Sequence, residues 1–254
     1  MTDEERYERE RRFHDISFAG SARAADRFYV INGACMRHLD EAIEALPADA
    51  RVLEYGCGSA AHVAISAARD GRRVTAFDLS PVAIDHARSL AENEGVADQI
   101  EFRVLNAEAV ALPTGEFDAV FGTGVLHHLN LHNAYSEIAR LLRPGGSAMF
   151  IEPMGHNPLI NLYRSRTPGQ RTDDEHPLVI EDLALAHDFF ARVEPEYFSL
   201  LPLAVLPLAK LRGSDRLVRA LDAADRALFR RMPSAGRYAW MVALRLRARD
   251  QQVR

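Results

Sequence analysis

Cysteine is scarce in this chain: only Cys35 and Cys57 occur in 254 residues. Two cysteines exclude a disulfide framework, and their separation lacks the paired spacing of a zinc finger or ribbon, so a reduced, cytoplasmic setting is expected. Long apolar runs are missing too. A membrane span needs about eighteen consecutive apolar residues. The most apolar stretch, YFSLLPLAVLPLAKL from Tyr197 to Leu211, is shorter and is interrupted by Pro202 and Pro207. It is expected either to pack or to line a pocket for a hydrophobic acceptor. Positive charge is also short, with 31 Lys and Arg against 36 Asp and Glu and a net charge of -5. That balance leaves no basic footprint for a nucleic-acid partner. The opening run MTDEERYERERRF is charged rather than basic-then-apolar, so no secretory leader is expected.

Apolar residues make up 48% of the chain, enough to bury the core of one large α/β domain. Residues 3 to about 46 read as helical, with a break near Gly20. From Arg51 the pattern alternates: RVLEY, the Ala-rich AAHVAISAARDG, RVTAFDL, PVAIDHARSLAENEG, IEFRVL, FDAVFGTG, LHNAYSEIARLLRPGG and SAMFIEP. Short β-branched runs between helix-length segments predict right-handed crossovers and a doubly wound, mostly parallel sheet with helices on both faces. The segment RPGG reads as a helix stop and turn. Beyond Pro153 lies a loop rich in Pro, Gly, Asn and charge. Then come a helix over VIEDLALAHDFF, a strand over RVEPEYFSLL, helical segments near 214–231 and 237–241, and a last strand in MVALRLRARDQQ.

The stretch VLEYGCGSA carries the first chemistry. Gly56 and Gly58 let a ligand approach the backbone at the end of a strand, and the helix that follows offers free N–H groups. Twenty residues past Gly58, Asp78 ends the next strand, where a carboxylate can accept both ribose hydroxyls. An adenosine cofactor fits. A dinucleotide fingerprint would want a glycine at Ala61, and Glu54 would repel a pyrophosphate while suiting an amino-acid ammonium. Asp78 is also placed to cap a helix starting at Ser80 and Pro81.

Taken together, VLEYGCGSA, VTAFDLSPVAIDHA, NAEAVALPTGEFDAVFGTGVLHHL and EIARLLRPGGSAMFIEP resemble the successive motifs of class I S-adenosylmethionine-dependent methyltransferases, over about residues 50–153. The resemblance implies a seven-stranded sheet, S-adenosylmethionine as cofactor and S-adenosylhomocysteine as product. It implies an N-terminal helical lid over residues 1–50 and a methyltransferase domain over 51–254. The Glu54, Gly56, Cys57 and Gly58 turn would hold the methionine part, with Asp78 on the ribose and Leu79 packed on adenine. Asn106 and the Ala107 backbone would meet the adenine edge, with Glu108 and Thr123 completing the cofactor site. Many members have Asp where this chain has Asn106, whose side-chain oxygen still accepts from an amino group.

Methyl transfer from a sulfonium is a direct displacement, governed by alignment, in which a hydroxyl acceptor gains from a base. His127 and His128, just past the fourth strand, are the candidates; a capping or packing role is the alternative, more so for His128. The loop from Glu152 to Leu178 supplies His156, Asn157, Arg164, Arg171 and His176 as candidate contacts to a small-molecule, lipid-like or peptide acceptor. No metal site is expected. Oxygen is the expected target atom, with nitrogen or carbon as alternatives. From other classes, an NAD-dependent oxidoreductase and a non-catalytic scaffold remain. The tail after Ser214 is long enough for a homodimer contact.

Overall fold

The computed structural model describes residues 3–19, 31–167, 172, 175–208 and 214–250. Among the described residues, α1 (Asp3–Ala19) and α2 (Gly33–Glu44) precede the sheet. The stretch between them, with the expected break near Gly20, lies outside the described residues. Strand β1 (Arg51–Tyr55) is buried from Val52 to Tyr55, as a central parallel strand covered on both faces must be. It leads to α3 (His62–Arg69), β2 (Arg73–Asp78) and α4 (Pro81–Asn93), whose N-cap Ser80 accepts from Ala83 N at 3.1 Å. Then follow β3 (Ile100–Val104), β4 (Phe117–Thr123), α5 (Leu131–Leu141) and β5 (Leu142–Pro153). The chain closes with α6 (Pro158–Arg166), α7 (Ile180–Leu185), β6 (Arg192–Phe198), α8 (Ser214–Arg231) and β7 (Met241–Arg247).

The seven strands form one sheet in the order β3-β2-β1-β4-β5-β7-β6. β1 to β5 run parallel; β7 is antiparallel to β5, and β6 to β7. The order reverses between β1 and β4, and a crevice at such a switch point, outside the carboxyl ends of the strands, is where doubly wound sheets bind ligands. One core cluster holds Leu39, Ile43, Val63, Ala67 and Ile84; a second holds Leu53, Tyr55, Tyr135, Ile138 and Phe150. The expected doubly wound sheet is therefore present. At Gly122 a Cβ would stand 2.6 Å from Phe150 and 2.8 Å from Tyr55 O, so only glycine lets β1, β4 and β5 pack here.

Several expected boundaries shift. RPGG does not stop a helix ahead of the strand but lies inside β5, whose register against β4 slips between Phe117 and Ala119. The helix expected over VIEDLALAHDFF is one short helix, α7, followed by a 3-10 turn at Ala186–Asp188. Near 237–241 a 3-10 turn, Pro233–Tyr238, replaces the expected helix. Much of the apolar Tyr197–Leu211 stretch is a 3-10 segment, Leu201–Leu208, in which Leu203 and Val205 are buried against Ile31, Ile160 and Val218. Those two side chains pack. Among the described residues no helix is long and apolar enough to cross a membrane.

Helix α1 is unlike the others. Its residues have no apolar stripe, and polar contacts tie it to the loops at the carboxyl edge of the sheet. The Asp15 carboxylate accepts from Ser80 Oγ after β2, and Arg6 Nη2 lies 2.6 Å from Glu108 Oε1 after β3. Glu10 Oε2 lies 3.3 Å from His128 Nδ1 after β4, and Phe18 approaches Gly58 after β1. The helix thus straps all four loops around the switch point.

Candidate active site

The turn after β1 owes its shape to three left-handed residues, Gly56 (φ 72°), Gly58 (φ 55°) and Ala61 (φ 41°). A Cβ on Gly56 would collide with Val125 at 2.5 Å, so glycine here keeps the β1 and β4 loops in contact. Asp78 at the end of β2 braces this turn: its Oδ2 accepts from Gly58 N at 2.8 Å and its Oδ1 from Ser80 N at 2.9 Å. Each carboxylate oxygen retains capacity for a further donor. Leu79 beside it is half-exposed. Cys57 is buried, its N–H donating to Phe77 O at 2.9 Å, and burial raises its thiol well above the usual range.

Glu54 lies inside the protein. Its oxygens accept from Val63 N at 3.2 Å and Ala64 N at 2.9 Å, capping α3 from the preceding strand. Complete burial, reinforced by the Asp78 charge, pushes its carboxyl up to about 8 despite those two hydrogen bonds.

The loop after β3 is set by the buried Tyr55, whose hydroxyl donates to Ala107 O. Asn106 Oδ1 accepts from Glu108 N at 2.9 Å, a local turn of the kind Asn favours. For Glu108 the expected cofactor role meets a different arrangement. Its carboxylate takes Arg6 Nη2 at 2.6 Å, Asn130 N at 3.0 Å, and Tyr7 Oη and Asn133 Nδ2 at 3.3 Å each. Four donors exhaust a carboxylate, so Glu108 clasps α1 to the start of α5. Thr123 is half-buried at the carboxyl end of β4, opposite Ile151.

Past β4, the 3-10 turn Leu126–His128 carries both histidines. His127 Nδ1 is 2.7 Å from Oε2 of Glu152, near the end of β5 and 0% exposed. Glu152 Oε1 accepts from Val125 N and Leu126 N, both at 2.9 Å. A carboxylate only accepts, so His127 Nδ1 carries the proton of this hydrogen bond and Nε2 is left for a second partner. That Nε2 faces Glu175 Oε1 at 3.9 Å, in the segment expected to border the acceptor. The His128 ring lies 4.2 Å from that of His127, tilted by 39°, and burial together with that neighbour pushes it below the usual histidine range.

In the long loop, Asn157 is 3% exposed and fully engaged. Its Oδ1 caps α6 through Leu159 N and Ile160 N at 3.0 and 3.2 Å, and its Nδ2 donates to Tyr238 O at 2.6 Å. His156 Nε2 accepts from Ile180 N at 3.2 Å, capping α7. Arg164 donates to Met154 O at 3.1 Å. These three thus have structural duties in place of the acceptor contacts expected of them, because a loop with few backbone partners draws its polar side chains into capping. His176 is exposed and follows Glu175; its N–H donates to His127 O at 2.8 Å. Arg171 lies outside the described residues. Sequence reasoning missed Glu152, whose only signal was an acid ending an otherwise apolar strand.

A turn braced by Asp78 stands at the switch point of a doubly wound α/β sheet of order β3-β2-β1-β4-β5-β7-β6. Residues 53–150 match the family model of a methyltransferase domain. Over 144 residues, 56% of the chain, it is 31% identical to the S-adenosyl-L-methionine-dependent Diels-Alderase iccD of Talaromyces variabilis, covering 45% of that protein. Over 132 residues, 51% of the chain, it is 35% identical to the ubiquinone biosynthesis O-methyltransferase of Xanthomonas axonopodis pv. citri, covering 53% of it. The chain thus spans about half the length of these curated relatives. In fold it is similar to geranyl diphosphate C-methyltransferase from Streptomyces coelicolor A3(2), with TM-score 0.62 and 16% identity over 91% of this chain and 88% of that one. The cyclase SpnF is similar too, with TM-score 0.57 and 21% identity over 84% of this chain and 82% of that one. Residues 53–150 therefore resemble a methyltransferase domain in sequence, and the chain shares the fold of these methyltransferases.

Proposed function

We propose that the chain binds S-adenosylmethionine in the crevice between β1 and β4 and transfers its methyl group to an oxygen of a small-molecule acceptor. The observation that carries the oxygen assignment is the buried His127–Glu152 pair, 2.7 Å apart, with Nε2 turned toward Glu175. The glycine turn meets the methionine part, and Asp78 accepts from the ribose hydroxyls through its remaining lone pairs. The contact between Gly56 and Val125 brings that turn within two residues of His127. As the acceptor oxygen attacks the methyl carbon, the carbon–sulfur bond breaks toward a neutral thioether and the hydroxyl proton passes to His127 Nε2. Glu152 holds the ring in the tautomer this requires, a positioning task; a base so placed contributes about 10²–10⁴-fold. Helix α1 acts as the lid over the cofactor, and Glu175 and His176 border the acceptor.

One relative is a Diels-Alderase and one fold neighbour a cyclase, so ring formation without methyl transfer is the second reading. An oriented base favours the first, because a concerted cycloaddition moves no proton. The test is incubation with methyl-labelled S-adenosylmethionine and a panel of phenols, alkyl alcohols, amines and unsaturated hydrocarbons. Label entering hydroxyl compounds, and lost in His127→Ala, is expected. Label entering amines or carbon with undiminished turnover in His127→Ala would overturn the oxygen assignment.

A further inference from the structure

Glu10 and His14 stand four residues apart on α1, so they share one face of the helix. That face meets His128 in the turn after β4. Glu10 Oε2 lies 3.4 Å from His14 Nε2 and 3.3 Å from His128 Nδ1, and one ligand atom from each residue falls within 4.8 Å of the others. The Glu10 side chain is 5% exposed, yet neither of its oxygens has a hydrogen-bond partner, and neither does the buried His128 Nδ1. Thr172 places its buried hydroxyl beside Glu10. The nitrogens are near enough to Glu10 for ion pairing but are not aimed as hydrogen bonds. A buried carboxylate needs a cation close by, which either a protonated histidine or a metal ion shared with the two histidines can supply.

The spacing suggests which cation. Donors at about 2.1 Å from a tetrahedral zinc-like ion sit roughly 3.4 Å apart along each edge, close to the two Glu10–histidine separations. Two imidazoles and one carboxylate suit a borderline first-row metal rather than magnesium or calcium, which prefer all-oxygen shells. We propose that Glu10, His14 and His128 form a site for one divalent first-row transition ion, zinc being the best match. Such an ion would staple α1 to the loop after β4, and its three protein ligands would leave a position for water or an acceptor oxygen. A neighbouring grouping, His127, His128 and Glu175, shares His128. It is the weaker candidate, because His127 is already committed to Glu152. No metal was expected from sequence, since nothing in the order of residues brings position 10 beside position 128.

The site is independent of the methyl-transfer reading and is tested without turnover. Full-length protein stripped with chelator is titrated with zinc by calorimetry and with cobalt(II), whose visible absorption reports tetrahedral nitrogen and oxygen ligands. Wild type and the distant control His62→Ala are expected to bind one equivalent. His14→Ala and the isosteric Glu10→Gln are expected to bind at least tenfold more weakly while keeping the melting temperature of the metal-free protein. Equal uptake by wild type and His14→Ala would overturn the site. Loss in Glu175→Gln with retention in His14→Ala would also overturn it, moving the metal to the neighbouring grouping.

Discussion

Glu152 and His127 face one another across 2.7 Å, and the direction of that hydrogen bond decides what His127 can do. In Glu152→Gln the amide oxygen can still accept from the Val125 and Leu126 N–H groups, but its NH2 would then donate to His127 Nδ1. The proton would move to Nε2 and the base would be lost in place. Turnover should fall by about 10²–10⁴-fold with S-adenosylhomocysteine affinity unchanged; an unaltered rate would reject the positioning role. Legibility varied sharply at this scale. The turn at Gly56 and Gly58 and the strand end at Asp78 were readable as local structure, because they lie close in sequence. Glu54, Asn106, Asn157 and Glu108 were read as ligand contacts, but their oxygens receive nearby N–H groups, and only the fold shows which donors reach them. Glu152 and His127 are 25 residues apart on neighbouring strand ends, a pairing that needs sheet register.

Among the elements, α1 is the one most open to movement, because polar contacts rather than an apolar face hold it. Arg6→Ala removes the cation from Glu108, whose side chain is 1% exposed. The change should cost about 1–3 kcal/mol locally. Amide exchange over 3–19 should accelerate while the sheet remains protected, and release of S-adenosylhomocysteine should quicken; unchanged exchange would reject the strap. The strands β1 to β5 and the helices between them were legible from hydrophobic periodicity and glycine punctuation. The docking of α1 was not, since its residues carry no pattern that names a partner. The RPGG segment misled for a different reason: turn chemistry was read correctly, but β5 already pairs with β4 at Leu142.

For the molecule as a whole, pH dependence offers a distinct handle. Glu54 is pushed from 4.5 to about 8 by burial, so the folded state keeps its proton where the unfolded chain releases it. Its contribution to stability is full below about 4.5 and is lost as pH rises toward about 8. Denaturant melts should therefore show wild type losing stability relative to Glu54→Gln across that window; a constant difference would contradict the assignment. The sheet order and the switch point were legible as a fold class, whereas the antiparallel β7 between β5 and β6 was not, because tail strands carry no directional signal. The account turns on what the crevice between β1 and β4 holds. Calorimetric titration with S-adenosylhomocysteine and with NAD tests this most directly. One equivalent of S-adenosylhomocysteine should bind, weakened about tenfold to a hundredfold in Asp78→Ala through lost charged hydrogen bonds, with no heat from NAD. Binding of NAD without S-adenosylhomocysteine, or equal affinity in Asp78→Ala, would contradict it.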